Sequence, residues 1–292
     1  MLRKLSIILV ILFLSIGMVT AEESWVTILD ISDPKNDDYG PGTYLYPTHP
    51  QFEPYQGMLD IERFKVEENG ELLKFEITFG QITNPWDGPH GFSHQLIEIY
   101  IDHSPGGSRR PFLPGARVVF SPKAPWDTLI KITGWHNYLF HYTDERLNNP
   151  EPYSKAQVRV LEDQKTIEIQ VLVSDVAPPQ DLRESSFYLL VGGQDGFGPD
   201  NYRVVKDEVS EWYFGGTDGK GFTPNVIDIV TPSNKSQKRI LGSYDSINRI
   251  YAVVEPVKKP NLIKKILVYL TSIIVGLLLW YGWRKREELI LD

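Results

Sequence analysis

Thr166–Val173, "TIEIQVLV", sets Ile167, Ile169, Val171 and Val173 on one side of an extended chain. A period of two is that of a half-buried strand. Outward from it, "LLKFEITF" (Leu72–Phe79) and "LIEIYID" (Leu96–Asp102) alternate in the same way. "ARVVF", "LIKIT", "AQVRVL" and "SFYLLV" are shorter strand candidates. "LEDQK" (Leu161–Lys165) and "EENGE" (Glu67–Glu71) carry the turn residues of hairpins between strand patterns. No amphipathic helix of three turns interrupts the chain between Glu22 and Pro256. Many short strands punctuated by glycine and proline predict an all-β, antiparallel β-sandwich.

The two ends have a different character. Residues 1–21 have a basic start (Arg3, Lys4), an apolar run and the small-residue finish Val19-Thr20-Ala21, which is the pattern of a secretory signal peptide. Near the other end, "ILVYLTSIIVGLLLWYGW" (residues 266–283) has no charged residue. As a helix it would span about 27 Å, close to the ~30 Å hydrocarbon core of a bilayer. Trp280, Tyr281 and Trp283 stand where an interfacial aromatic belt belongs. Lysines flank it before and Arg284, Lys285 and Arg286 after, so the leader rather than the charge bias orients it. The expected organisation is a signal peptide (1–21), a β-sandwich (22–255), a stalk (256–265), a transmembrane helix (266–283) and a cytoplasmic tail (284–292). That describes a single-pass protein of the cell membrane with its sandwich outside.

An exported chain without cysteine must be held by core size, by bound metal, or by both. The formal net charge of −8 argues against nucleic acid as a partner and suits divalent cations. "TPSNKSQK" (Thr231–Lys238) is a polar loop with an Asn-x-Ser sequon at Asn234. Long loops rich in Gly, Pro and Trp interrupt the strands, and loops on a rigid sheet are where binding resides.

Three constellations stand out. In "DPKNDDYGPG", Asp33, Asp37 and Asp38 place carboxylates close together, with Gly40 and Gly42 permitting tight turns. Ca²⁺ takes six to eight oxygens from such loops, and an exposed Asx turn would use the same residues. In "GGQDGFGPDNYR", Gln194, Asp195 and Arg203 are planar polar groups of the kind that pair with sugar hydroxyls. Trp86, Trp126, Trp135 and Trp212 all lie in or beside Gly/Pro loops, where flat rings could stack on sugar faces or plug the ends of a sandwich.

Other chemistries find less support. His90 and His94 are separated by "GFS", and His136 and His141 would point to opposite faces of a strand, so no zinc pattern forms. Met58 is the only methionine between the two apolar ends, which disfavours haem. There is no G-x-S-x-G motif and no cysteine nucleophile. Carboxylates for glycoside hydrolysis are plentiful but none pair up by spacing, so hydrolysis stands behind binding.

In order along the chain, "DPKNDDYGPGTYLYPT", "GMLDIERFKV", "NPWDGPHGFSHQLIEIYID", "LPGARV", "VGGQDGFGPDNYRVV", "EWYFGGTDG" and "PNVIDIVTP" resemble the C-terminal domain of glucodextranase. The same module is similar to parts of pullulanase-type enzymes and of archaeal surface proteins. The resemblance covers about Trp25 to Val254 and implies a non-catalytic β-sandwich for carbohydrate binding or surface attachment. It also implies a structural Ca²⁺. The expected partners are an α-glucan or envelope glycan and, on the alternative reading, an S-layer or transporter protein. Here the module is expected to follow the leader directly, without the catalytic domains that precede it in such enzymes.

Overall fold

The computed structural model describes residues 24–145, 151–177 and 182–259, together with Thr271, Ile274 and Gly276. The expected leader, the stalk beyond residue 259 and the expected tail lie outside the described residues. So does the expected membrane segment, apart from those three residues, which are helical and exposed. Among the described residues no helix is long and apolar enough to cross a membrane. The chain divides into two compact units, residues 1–257 and 258–292, and every strand belongs to the first.

The strands are β1 (Val26–Ser32), β2 (Ile61–Glu68), β3 (Leu72–Phe79), β4 (Gln95–Asp102), β5 (Val118–Phe120), β6 (Thr128–Ile132), β7 (Asn137–His141), β8 (Gln157–Val160), β9 (Thr166–Leu172), β10 (Ser186–Gly193), β11 (Val226–Ile229) and β12 (Ala252–Val254). They form two five-stranded antiparallel sheets, ordered β1-β2-β3-β9-β8 and β11-β10-β4-β6-β7, and a parallel β12-β5 ribbon. Both anticipated hairpin turns occur. The Asn69 side chain accepts from the Glu71 and Leu72 amides, and Asp163 accepts from Lys165 and Thr166, closing the two loops by Asx bonding. Strand β9 stops one residue earlier than its pattern suggested, because Val173 opens a single helical turn, Val173–Val176.

The first sheet alternates as expected. Phe64, Val66, Leu73, Phe75, Ile77, Ile167 and Ile169 point inward and are fully buried. Its other face carries a lattice of charge in which Lys65 and Lys74 bridge Glu67 and Glu76.

The second sheet does not behave as a half-buried surface. Ile97, Ile99, Ile101, Ile130, Phe187 and Leu189 meet the first sheet, but Leu96, Tyr100, Leu129, Tyr188 and Leu190 on the opposite face are buried too. They are covered by Phe112, Ala116 and Trp126 from the long loops, by the ribbon, and by the short helix Gln237–Leu241. The loops between β4 and β6 are therefore a third layer of the core, and the apolar content of "LIEIYID" on both faces reflects that cover.

Candidate functional site

Strand β10 ends in Gly192 and Gly193 because aromatic rings crowd its backbone there. A Cβ at Gly192 would sit 2.5 Å from the Tyr202 ring, and one at Gly193 would sit 2.6 Å from the Phe214 ring. That close approach lets the following loop double back, with the Arg203 amide donating to the Gly193 carbonyl at 2.7 Å. The return brings four separate segments together around one cleft of about 790 Å³. Trp86, Trp135, Trp212, Gln194, Asp195 and Arg203 all line it, with Thr133, His136, Asn201 and Tyr213. Six of the seven residues singled out for ligand binding are thus neighbours in space, although they are spread over residues 86–212.

Trp126 is not among them, and this corrects its assignment. It is fully buried in the layer above the second sheet, edge-on to Tyr100 at 5.1 Å, with its indole N–H donating to the Arg110 carbonyl at 2.8 Å. No ligand can reach it. A loop position marked it as a binding residue, but the loop itself is core.

The remaining walls are held from behind. The Trp86 indole N–H donates to Gln51 Oε1 at 2.8 Å, and its ring meets Phe52 and His94 edge-on at 5.7 and 4.6 Å. The His49 imidazole stacks on Trp212 at 4.0 Å. Arg203 is 7% exposed and acts as a post beneath the cleft. Its Nη1 donates to the Trp212 carbonyl (2.7 Å) and its Nη2 to the Gln194 carbonyl (2.9 Å), while the guanidinium sits over the rings of Phe52 and Trp86. Arg203 thus ties two walls together and stands 3.8 Å from the Asp195 carboxylate, and the polar side chains lining the cleft around it are Gln194, Asp195, His136 and Asn201. Sequence reasoning missed His49, Gln51 and Phe52, which lie in "THPQF" and carry no signature of the cleft they support.

His94 is buried behind Trp86. Burial, with the positive charge of Arg203 nearby, pushes its imidazole down to about 4. The native state therefore holds it neutral, while the unfolded chain takes up a proton near its ordinary value of 6.5. The stabilisation is fully present above pH 6.5 and is lost as pH falls through about 4. A displacement of this size is worth on the order of 3 kcal/mol. In denaturant titrations, wild type is expected to lose stability relative to His94→Phe between pH 6.5 and 4. Parallel pH profiles for the two proteins would contradict this.

The loop that forms the cleft's far wall is anchored in the third layer. Asp200 is paired with Lys131 Nζ, which also donates to the Asp200 carbonyl at 2.7 Å and lies 3.7 Å from Glu98. Tyr100 and Tyr202 both donate to Glu98 Oε2, at 3.0 and 2.9 Å. Burial and the charge of Asp200 push the Glu98 carboxyl up.

A second constellation lies where the opening loop meets β11. Carboxylate oxygens of Asp33, Asp37 and Asp228 all lie within 4.8 Å of one another. The expected third ligand, Asp38, is not in this group. Its carboxylate instead accepts from the Tyr46 hydroxyl and from the Gly57 amide at 2.9 Å, which turns it toward the loop. Its place is taken by Asp228, a fully buried aspartate in the middle of β11. The sequence signal for it was available. In "NVIDIV" a lone carboxylate interrupts an apolar strand, an expensive placement unless something compensates it.

No curated protein matches this chain. One family model does match, over residues 28–256, and it describes a C-terminal binding module, SLH-like, of glucodextranase. The match runs from the first strand to just past the last, so it includes both sheets, the aromatic cleft and the carboxylate group. By that match the chain belongs to the family of SLH-like C-terminal binding modules of glucodextranase.

Proposed function

We propose that this protein is a non-catalytic glycan-binding module, held at the outer face of the cell membrane by its C-terminal apolar segment. Its ligand is an α-glucan or a surface glycan. The observation that carries the reading is the convergence of Trp86, Trp135 and Trp212 with Gln194, Asp195, His136 and Asn201 around one open cleft. Flat aromatic walls suit the C–H faces of sugar rings, and a few planar polar groups suit their hydroxyls. The family's description as a binding module agrees with this use.

A second cleft of similar size, lined by Tyr39, Leu45, Tyr46 and Tyr55, draws nearly all its walls from one segment of chain. We assign binding to the tryptophan cleft because it joins residues from four loops on a rigid support.

Isothermal titration of the full-length chain in detergent against maltodextrins, dextrans and envelope glycans tests the reading. Trp86→Ala and Trp212→Ala are each expected to weaken binding roughly tenfold or more, since truncating a central aromatic anchor removes about 2 kcal/mol. Unchanged affinity in both variants, or no heat with any glycan, would sink it. Turnover of any glucan by the purified chain would overturn the non-catalytic assignment.

The SLH-like description favours one alternative, attachment to an S-layer or other envelope protein, with transporters as further partners. Co-purification of such a protein from solubilised membranes, unaffected by Trp86→Ala, would support that alternative over glycan binding.

A further inference from the structure

The carboxylate group at the foot of the opening loop lacks the partners that buried charge requires. Asp33 is only 8% exposed, yet its Oδ2 has no hydrogen-bond partner, and neither does the buried Oδ1 of Asp37. Asp228 accepts from the Ile61 and Ile229 amides, at 2.6 and 2.7 Å. Asp60 stands beside them, 2% exposed, with its Oδ1 accepting from the Asp37 amide at 3.1 Å. Among the described residues none of these four carboxylates forms an ion pair with Lys, Arg or His. Several uncompensated carboxylates in one buried space repel one another and have each given up hydration.

We infer that Asp33, Asp37 and Asp228 hold a Ca²⁺ ion, which clasps the segment 33–60 to β11 and thereby steadies the aromatic cleft. The donors are all oxygen, with no histidine or cysteine in the group, which selects a hard cation. Two oxygens on one Ca²⁺ lie at most about 5 Å apart. The 4.8 Å span of the three carboxylates falls within that limit. Asp60 orients Asp37 and adds negative charge from beside the group.

The link to the cleft is continuous in the backbone. From Asp37 the segment runs to Leu45, which exchanges two hydrogen bonds of 3.0 Å with Gly215. Thr48 and His49 then donate to Ser210 and Glu211, next to Trp212. His49 stacks on Trp212, Gln51 holds Trp86, and Phe52 packs between the two tryptophans. The chain returns through Gly57, bonded to Asp38, and ends at Asp60 beside the cation site. Both ends of the excursion are therefore fixed at one point. Only the effect on glycan affinity rests on the function proposed above.

The test uses the full-length chain in detergent, stripped with EDTA and titrated with CaCl₂ or MgCl₂ alone. One Ca²⁺ is expected to bind and to raise the melting temperature by roughly 5 °C or more at a hundredfold excess over its Kd. Mg²⁺ is expected to do much less. Asp37→Asn, on the loop, should abolish both binding and the shift, as should Asp228→Asn. Asp38→Asn, outside the group, should keep them. An unchanged melt with Ca²⁺, or Asp37→Asn responding like wild type, would overturn the site. Tryptophan emission that ignores Ca²⁺ would overturn the coupling to the cleft. Ca²⁺ binding with no affinity for any glycan would leave the cation site standing and remove only the glycan reading.

Discussion

Trp126→Ala is expected to lower the unfolding free energy by about 3–5 kcal/mol, the range for truncating a large buried aromatic. In a domain of this size that corresponds to a fall in melting temperature of roughly 10 °C. The indole is fully buried, packs against Tyr100 and Phe112, and satisfies its N–H on the Arg110 carbonyl. Alanine leaves a cavity that Phe120 and Tyr188 cannot fill, because they are themselves wedged against Tyr100 and each other. Glycan affinity of the folded protein should change by less than about twofold, since Trp126 lies outside the cleft. Trp86→Ala should do the reverse. A calorimetric melt and a binding titration on both variants settle the contrast, and loss of affinity at unchanged stability in Trp126→Ala would refute it.

The contrast also shows which kind of information the sequence held. "LLKFEITF" and "TIEIQVLV" were legible because the outer side of the first sheet is lined by polar and charged side chains, so alternation survived in the residues. The second sheet has no wet side, and its cover comes from loops whose Gly/Pro composition looks solvent-exposed. Trp86 and Trp126 both sit in a Pro-Trp-Asp sequence, and nothing local separates them. What separates them is whether β4 and β6 lie underneath, a fact of topology. The polar residues of the cleft fared better, because "GGQDGFGPDNYR" packs its contacts into one short loop.

The acidic run shows the same limit from another side. Asp33 and Asp37 were legible as potential ligands because they are neighbours in sequence. Asp38 was chosen by adjacency, but successive residues in a turn point in different directions, and Asp38 turns to Tyr46. Asp228 lies nearly two hundred residues downstream, and only the pairing of β10 with β11 delivers it. Spacing alone could not have joined them.

Lys131→Met is expected to destabilise the protein by about 3–5 kcal/mol as well, for a different reason. Among the described residues Lys131 is the only cation paired with Glu98 and Asp200, and all three side chains are nearly inaccessible to water. Methionine fills the volume but leaves two buried carboxylates facing each other. The Glu98→Gln change made on top of it should recover part of the loss, roughly 1 kcal/mol or more, because Tyr100 and Tyr202 can still donate to an amide oxygen. That partial rescue separates an electrostatic fault from a packing fault, which no change at Glu98 could repair. Lys131 also carries a consequence that Trp126 does not. It grips both the carboxylate and the carbonyl of Asp200, whose backbone has a positive φ of 51°, unusual for a side-chain-bearing residue. Its neighbour Asn201, also at positive φ, lines the cleft. Without the lysine the turn keeps only its own backbone bonds, such as Asn201 N–H to the Gly198 carbonyl and Asp195 N–H to the Asn201 carbonyl, and loses its tie to β6, so the far wall should loosen and glycan affinity should fall together with stability. Measured below the melting transition, where every molecule counted is folded, an affinity loss in Lys131→Met and none in Trp126→Ala would identify the buried ion pair as the support of the cleft. Equal affinities in the two variants would restrict Lys131 to the core.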